Sequence, residues 1–385
     1  MKLTQYGDYF YLYILFLIFI PAIILNIKGI KLRYYGIVVS TAMIYLIIGR
    51  NLGLVLFLMF LVGEITIIYL YLFIRKKTDN KYLYWLFLFA SMLPIIITKV
   101  AGVTQYASYI GFIGLSYLNF KAIQIIIEIY DGRITKINFI TCIYFITFFP
   151  TLSSGPIDRW KRFEEDSNRI IEKKVYLNEY LIIGLKKIFI AIIYKFILAY
   201  LIDTYWLLKI PTDITILNSI NYMYAYTMYL FFDFAGYSLF AVGTSYIFGI
   251  KTPENFNKPF ISKDMKEFWT RWHISLSRWF GDYIFSRFVL NSMRKKRFKN
   301  RITASHIAQI ITMFIMGLWH GLTVYYIIYG LYQGIALILT DIYQRKSKFY
   351  KKYKKQKWFD AIQIVVTFHI VCFGMLIFSG FLFKK

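Results

Sequence analysis

Two histidines carry the chemistry open to this chain. His320 stands in Gly317-Leu318-Trp319-His320-Gly321, at the end of an uncharged apolar stretch. His273 stands in Phe268-Trp269-Thr270-Arg271-Trp272-His273-Ile274-Ser275-Leu276-Ser277. The chain has four histidines in all, so half of them fall in its two most distinctive motifs. An ionisable side chain at membrane depth costs about 2.5 kcal/mol or more when charged and is functional by default. Burial disfavours the charged imidazole, leaving a neutral ring that can accept a proton, and general-base assistance is worth about 10²–10⁴ in rate. The competing reading of His320 is a hydrogen-bonded packing residue. For His273, orienting His320, binding a carbonyl or positioning a hydroxyl acceptor stands beside a ring placed at headgroup level.

Other polar residues group more loosely. Phe149-Pro150-Thr151-Leu152-Ser153-Ser154-Gly155-Pro156-Ile157-Asp158-Arg159 reads as a turn closing an apolar segment, in which small residues allow close backbone approach. Ser154 and Asp158 are its candidate site residues, with a structural turn as the alternative. Ser116, Asn119 and Gln124 fall near one helical stripe, and such a stripe lines a cavity or bonds neighbouring helices. The sequence has no phosphate-cradling Gly-x-x-x-x-Gly-Lys-Ser/Thr loop, no Gly-x-Ser-x-Gly elbow and no His-Glu-x-x-His or clustered Cys/His pattern. It therefore offers no motif for an ATP-driven step, a serine hydrolase or a metal centre, and a group-transfer enzyme of this kind must receive an already activated donor.

The elements that hold these residues are membrane helices. Hydrophobic residues make up 58% of the chain and mean hydropathy is +0.53, the composition of an all-α polytopic membrane protein. A span needs about 20 apolar residues. Candidate spans cover residues 9–27, 35–48, 52–74, 83–97, 137–149, 181–208, 220–248, 307–318, 323–342 and 362–383. Because some are short and some long, about ten or eleven crossings are expected, with re-entrant or interfacial pieces around a central cavity. No linker or internal repeat breaks the chain, so one domain over 1–385 is expected. The missing repeat weighs against a secondary transporter.

The first apolar segment lacks the basic leader and small-residue cleavage site of a signal peptide. The basic residues at 28–33, 75–77 and 294–297 mark cytoplasmic turns and leave the N-terminus outside. The 46 basic and 20 acidic residues give a net charge of +26, spread over turns that meet anionic lipid headgroups. Charge divided in this way does not form a nucleic-acid face. Cys142 and Cys372 make no disulfide framework. Between residues 250 and 301 the chain is too polar to span. There Trp269, Trp272, His273, Leu276, Trp279 and Phe280 recur at helical spacing, which predicts one face of a single amphipathic helix. Pro253 and Pro259 keep the preceding segment out of that helix.

Taken together, Pro253-Glu254-Asn255-Phe256-Asn257, the 268–277 motif and Gly317-Leu318-Trp319-His320-Gly321 resemble the membrane-bound O-acyltransferase family, over a core of about 111–333. Within it, Phe120-Lys121-Ala122-Ile123-Gln124-Ile125-Ile126-Ile127-Glu128, the 150–159 turn and Phe232-Asp233-Phe234-Ala235-Gly236-Tyr237-Ser238 are similar to members that carry D-alanine to teichoic acid.

The resemblance implies His320 as catalytic base and His273 as the family's second histidine. It implies a substrate channel with Trp319, Trp269, Arg271, Asn257, Ser154, Asp158, Asn119, Gln124, Asp233 and Ser238. No bound cofactor is implied, since the donor is the phosphopantetheine thioester of a small acidic carrier protein. The acceptor is lipoteichoic acid, other membrane proteins of the pathway are partners, and the location is a Gram-positive plasma membrane. A family polysaccharide O-acetylase, or a transporter using the histidines as a proton relay, is the alternative. Gly281 stands where the family commonly has Arg, so no role is carried onto it. Apolar anchors ringed by positive charge suit an acidic helical partner. Val289, Leu290 and Met293, bordered by Arg287 and the 294–297 run, are thus the candidate carrier dock, with an interfacial helix end as the alternative.

Overall fold

The computed structural model describes residues 3–104 and 110–383, and among them every regular element is helical. Among the described residues, seven helices are long and apolar enough to cross a membrane: Tyr9–Ile27, Leu52–Arg75, Lys81–Ala101, Ile216–Ile247, Arg301–His320, Val324–Lys346 and Lys357–Phe378. Arg33–Ile48 and Phe139–Thr151 are shorter apolar helices. The expected span at 181–208 is helical but threaded with π turns at Tyr176–Leu181 and Ile193–Ala199. Several helices start where a short polar side chain accepts from the first turn. Asp8 accepts from Tyr11 N, Asn80 from Tyr82 N, Asn138 from Thr141 N and Asn300 from Thr303 N. Such caps satisfy donors that the helix itself cannot.

The chain separates into two compact units, residues 1–191 with 237–253, and residues 192–236 with 254–385. The helix Ile216–Ile247 contributes residues to both.

In the first unit, buried polar side chains bond to one another and to backbone. Glu64 accepts from Ser91 Oγ at 2.7 Å and from Asn119 Nδ2 at 3.0 Å, which ties three helices together. Lys121 Nζ donates to Phe145 O and Thr151 Oγ1, both at 3.1 Å. The N-terminal strap is fastened by Leu3 N to Leu46 O at 2.9 Å and by Gln5 Nε2 to Phe149 O at 2.7 Å. Buried polar groups need such partners because an unpaired one costs its full desolvation.

In the second unit, Arg301–His320 and Val324–Lys346 form an antiparallel pair that approaches backbone to backbone. A Cβ on Gly330 would lie 2.5 Å from Met313 O and 3.2 Å from Gly317 Cα. Small residues permit this spacing, which drives helix association where the hydrophobic effect cannot. At the far end of the pair, Asp341 Oδ2 meets His306 Nε2 at 2.8 Å and accepts from Arg345 Nε at 2.6 Å, and Asp341 Oδ1 accepts from Lys266 Nζ at 2.5 Å. The basic turn at 345–357 therefore lies at the same end of the unit as the basic 294–297 run.

Candidate active site

His320 is the last residue of Arg301–His320. The glycine contact upstream brings the opening turns of Val324–Lys346 alongside it. Rings then surround the imidazole on several sides. Tyr326 stacks at 5.7 Å between centroids, and Tyr329 and Phe378 stand edge-on at 6.1 and 4.8 Å. The neighbouring Trp319 ring is 4.6 Å away. Gly321 follows without a side chain, and a Cβ there would meet the Tyr326 ring at 2.8 Å. The half-buried imidazole thus sits in a low-dielectric aromatic collar that remains partly open, a setting that strengthens proton transfer to and from a bound reactant.

The single amphipathic helix expected around His273 is corrected by the structure. It breaks into Met265–Arg271 and Ile274–Phe280, with His273 between them in the left-handed region at φ 44° and ψ 50°. The break is held by the Pro253-Glu254-Asn255-Phe256-Asn257 segment. Ile274 N donates to Asn255 O at 2.9 Å, and Ser275 N and Oγ donate to Asn255 Oδ1 at 3.2 and 2.6 Å. Asn257 N donates to Arg271 O at 2.9 Å, and Arg271 returns a guanidinium bond to Asn257 O at 3.2 Å. Hydrogen bonds to a fixed loop outweigh the local helical pattern, because backbone groups freed by the break find partners there. The His273 ring stacks on Phe234 at 4.8 Å. Trp272 stacks on Phe268 at 5.6 Å and stands edge-on to Phe256 at 5.1 Å. His273 lies between helices too short to span, and burial pushes its imidazolium down to about 3. The ring is therefore neutral at physiological pH.

The remaining channel candidates divide between the units. In the second, Arg271 is paired with Glu267 at 2.7 Å, Trp269 packs edge-on to Phe268, and Asp233 forms an ion pair with Lys195 of the π turn. In the first, Asn119 is bonded to Glu64 and to Ser91 O, and Gln124 Nε2 donates to Asp158 O at 2.7 Å. Asp158 is fully buried and ion-paired with Arg162; burial pushes its carboxyl up while Arg162 and Lys121 pull it back. Ser154 N donates to Tyr237 Oη at 3.2 Å, and Ser238 is buried on the next residue of that helix.

Val289 is also corrected. Expected on a docking face, it is 5% exposed and packs against Ala304 and Ala308, because alternate faces of Ser286–Arg294 point inward and outward. Leu290 and Met293, 65% and 38% exposed, form the outward face. Reading the sequence also missed Tyr326, Tyr329, Phe378 and Phe234 as walls of the two histidines. Tyr326 and Tyr329 are spaced three apart at the start of the helix after His320, a signal that was available. Phe378 and Phe234 come from distant segments and carry no local signal.

The membrane-bound O-acyltransferase family model matches residues 38–383. The chain is 42% identical over 389 residues to the teichoic acid D-alanyltransferase of Bacillus subtilis, covering 98% of each protein. It is 42% identical over 398 residues to a protein of the same name from Streptococcus thermophilus, covering 99% of this chain and 96% of that one. A probable alginate O-acetylase of Pseudomonas syringae is 34% identical over 274 residues, 70% of this chain and 49% of that protein. The chain belongs to the membrane-bound O-acyltransferase family and is a multi-pass membrane acyltransferase.

Proposed function

We propose that this chain moves D-alanine from the phosphopantetheine thioester of an acidic carrier protein across the membrane toward hydroxyls of lipoteichoic acid, in the plasma membrane of a Gram-positive bacterium. The single observation carrying the chemistry is the His320 imidazole, half-buried in its collar of Trp319, Tyr326, Tyr329 and Phe378. Identity over nearly the whole length to teichoic acid D-alanyltransferases supports the acyl group and the acceptor, against the shorter match to an acetylase.

The step balances without ATP. The acceptor O–H gives its proton to an imidazole nitrogen of His320 while its oxygen attacks the thioester carbonyl carbon. The C–S bond then breaks, and the departing sulfur takes the proton back from the imidazolium. An ester and a free pantetheine thiol result. His273, neutral and fixed by the Asn255 loop, serves as a positioning residue in this scheme. The carrier arrives from the cytoplasmic side, where Leu290 and Met293 are flanked by Arg287 and the 294–297 run. An apolar centre with a positive rim fits an acidic helical partner.

The test follows labelled D-alanine from loaded carrier to lipoteichoic acid in membranes, comparing wild type with His320→Ala at matched expression. The expected result is a loss of about 10²–10⁴ with carrier binding retained. Full transfer by the variant removes His320 as base.

A further inference from the structure

The first unit contains a cavity of about 460 Å³ that no step above uses. Gln5, Ser153, Ser154 and Tyr237 line its polar side, Ile47 and Ile113 form an apolar wall, and exposed Thr4 stands at its mouth. Among the described residues, no lining side chain is charged. Ligand pockets of about 300–1,000 Å³ pair apolar walls with a few placed polar groups in this way.

Its position follows from the charges. The N-terminal strap, the end of Arg33–Ile48 and the start of Leu115–Tyr130 lie opposite the basic turns at 28–33, 75–77 and 133–136, which face the cytoplasm. The mouth is therefore on the outer side. Tyr237 marks the depth. It lies ten residues before Ile247, whose carbonyl accepts from Asn26 Nδ2 at 3.3 Å near the inner end of Tyr9–Ile27. Ten residues of helix are about 15 Å, half of a hydrocarbon core about 30 Å thick.

The polar wall is fixed and has a hydrogen bond to give. Tyr237 Oη accepts from Ser153 Oγ at 2.8 Å and from Ser154 N at 3.2 Å. Ser154 N can only donate, and whichever hydroxyl of the Ser153–Tyr237 pair donates within it, the other keeps a proton to give to a ligand. Gln5 holds the same loop, donating to Phe149 O at 2.7 Å and accepting from Ser153 N at 3.2 Å. Tyr6 stands edge-on to the Tyr237 ring at 5.2 Å and stacks on Phe240 at 5.3 Å. Side chains locked in this way bind without paying for their own ordering.

We propose that this cavity is a binding site for an uncharged, hydroxyl-rich unit, a polyol or sugar ring, of an acceptor chain arriving from outside. Tyr237 donates to one oxygen of that unit, Ser153 and Ser154 take up a neighbouring hydroxyl, and Ile47 and Ile113 lie against its C–H face. The uncharged side chains among the described lining residues suit a neutral unit of this kind. The proposal rests on the hydroxyl-acceptor reading above and names where that acceptor is gripped.

The experiment measures steady-state transfer by the full-length protein in membranes, varying lipoteichoic acid and loaded carrier separately. Tyr237→Phe keeps the ring and removes the donated hydrogen. It is expected to raise the KM for lipoteichoic acid about fivefold, the worth of one net hydrogen bond, with kcat within twofold and the KM for carrier unchanged. Ile113→Trp fills the cavity from its apolar wall and is expected to raise the acceptor KM at least tenfold while carrier capture stays at the wild-type level. Wild-type acceptor KM in both variants overturns the site while leaving the proposed function standing. A fall in kcat with both KM values unchanged overturns it as well, since that assigns Tyr237 to the chemistry. Absence of transfer by wild type, with the pathway partners present, overturns the function reading on which the site rests.

Discussion

The two units surround their most distinctive polar residues differently. In the first, Glu64, Ser91, Asn119, Lys121, Gln124 and Asp158 are bonded to one another or to backbone. In the second, His320 and His273 are enclosed by rings, and their positions come from glycine packing and from the Asn255 loop. A polar group whose bonding capacity is spent on its neighbours cements helices. The two histidine rings are instead walled by aromatic side chains, which set their orientation and lower the local dielectric. The difference separates polar residues that look alike in sequence, since Asn119 and His320 both stand in apolar runs.

Substitutions can break or sharpen that contrast. The largest effect after loss of His320 is expected from Gly330→Leu, which pushes side-chain atoms into Met313 O and Gly317 Cα. Overpacking of this kind costs about 1–3 kcal/mol or more, and displacing the Tyr326 and Tyr329 wall should lower transfer about 100-fold, as misplacement near 1 Å does. Transfer and thermal unfolding measured together check this, and an unchanged Tm with full transfer breaks the glycine argument. Asn255→Ala removes the partner of Ser275 Oγ and N, worth about 1–3 kcal/mol. It should lower kcat about tenfold through a loosened His273 turn while leaving the carrier KM alone, and Asn255→Asp, which keeps the acceptor, should restore most of it.

On the outward face, Leu290→Asp should reduce carrier pull-down several-fold with Tm unchanged. Val289→Asp should instead unfold the Ser286–Arg294 packing, because it buries an unpaired charge against Ala304 and Ala308. Equal behaviour of the two would erase the inward–outward distinction. The smallest effect belongs to Glu64→Leu, which removes interhelical bonds averaging about 0.6 kcal/mol in membranes. It should shift Tm by a few degrees and leave transfer intact. A large loss of transfer would place catalytic work in the first unit.

Much of this was legible in the residues. The helix limits 9–27 came directly from an apolar run bounded by Asp8 and Lys28, and most later helices lie within a few residues of the expected segments because apolar length and caps set them locally. The unit boundary was invisible, since one continuous helix, Ile216–Ile247, supplies residues to both units and no composition shift marks the division. The helical spacing of Trp269 to Phe280 was misleading for a related reason. Periodicity reports local preference, while the break at His273 is set by a loop some 16–18 residues upstream in the chain.

The sequence by itself determined the membrane-embedded all-helical class, the two histidine motifs and the family, because apolar length, charge placement and motif spacing are properties of neighbouring residues. Only the tertiary structure decided that Phe378 and Phe234 wall the histidines, that Val289 turns inward while Leu290 turns out, and that Ser153, Ser154, Gln5 and Tyr237 share one cavity. Each of these depends on side chains far apart in sequence meeting in space, and packing and hydrogen-bond satisfaction choose those partners only once the helices have assembled.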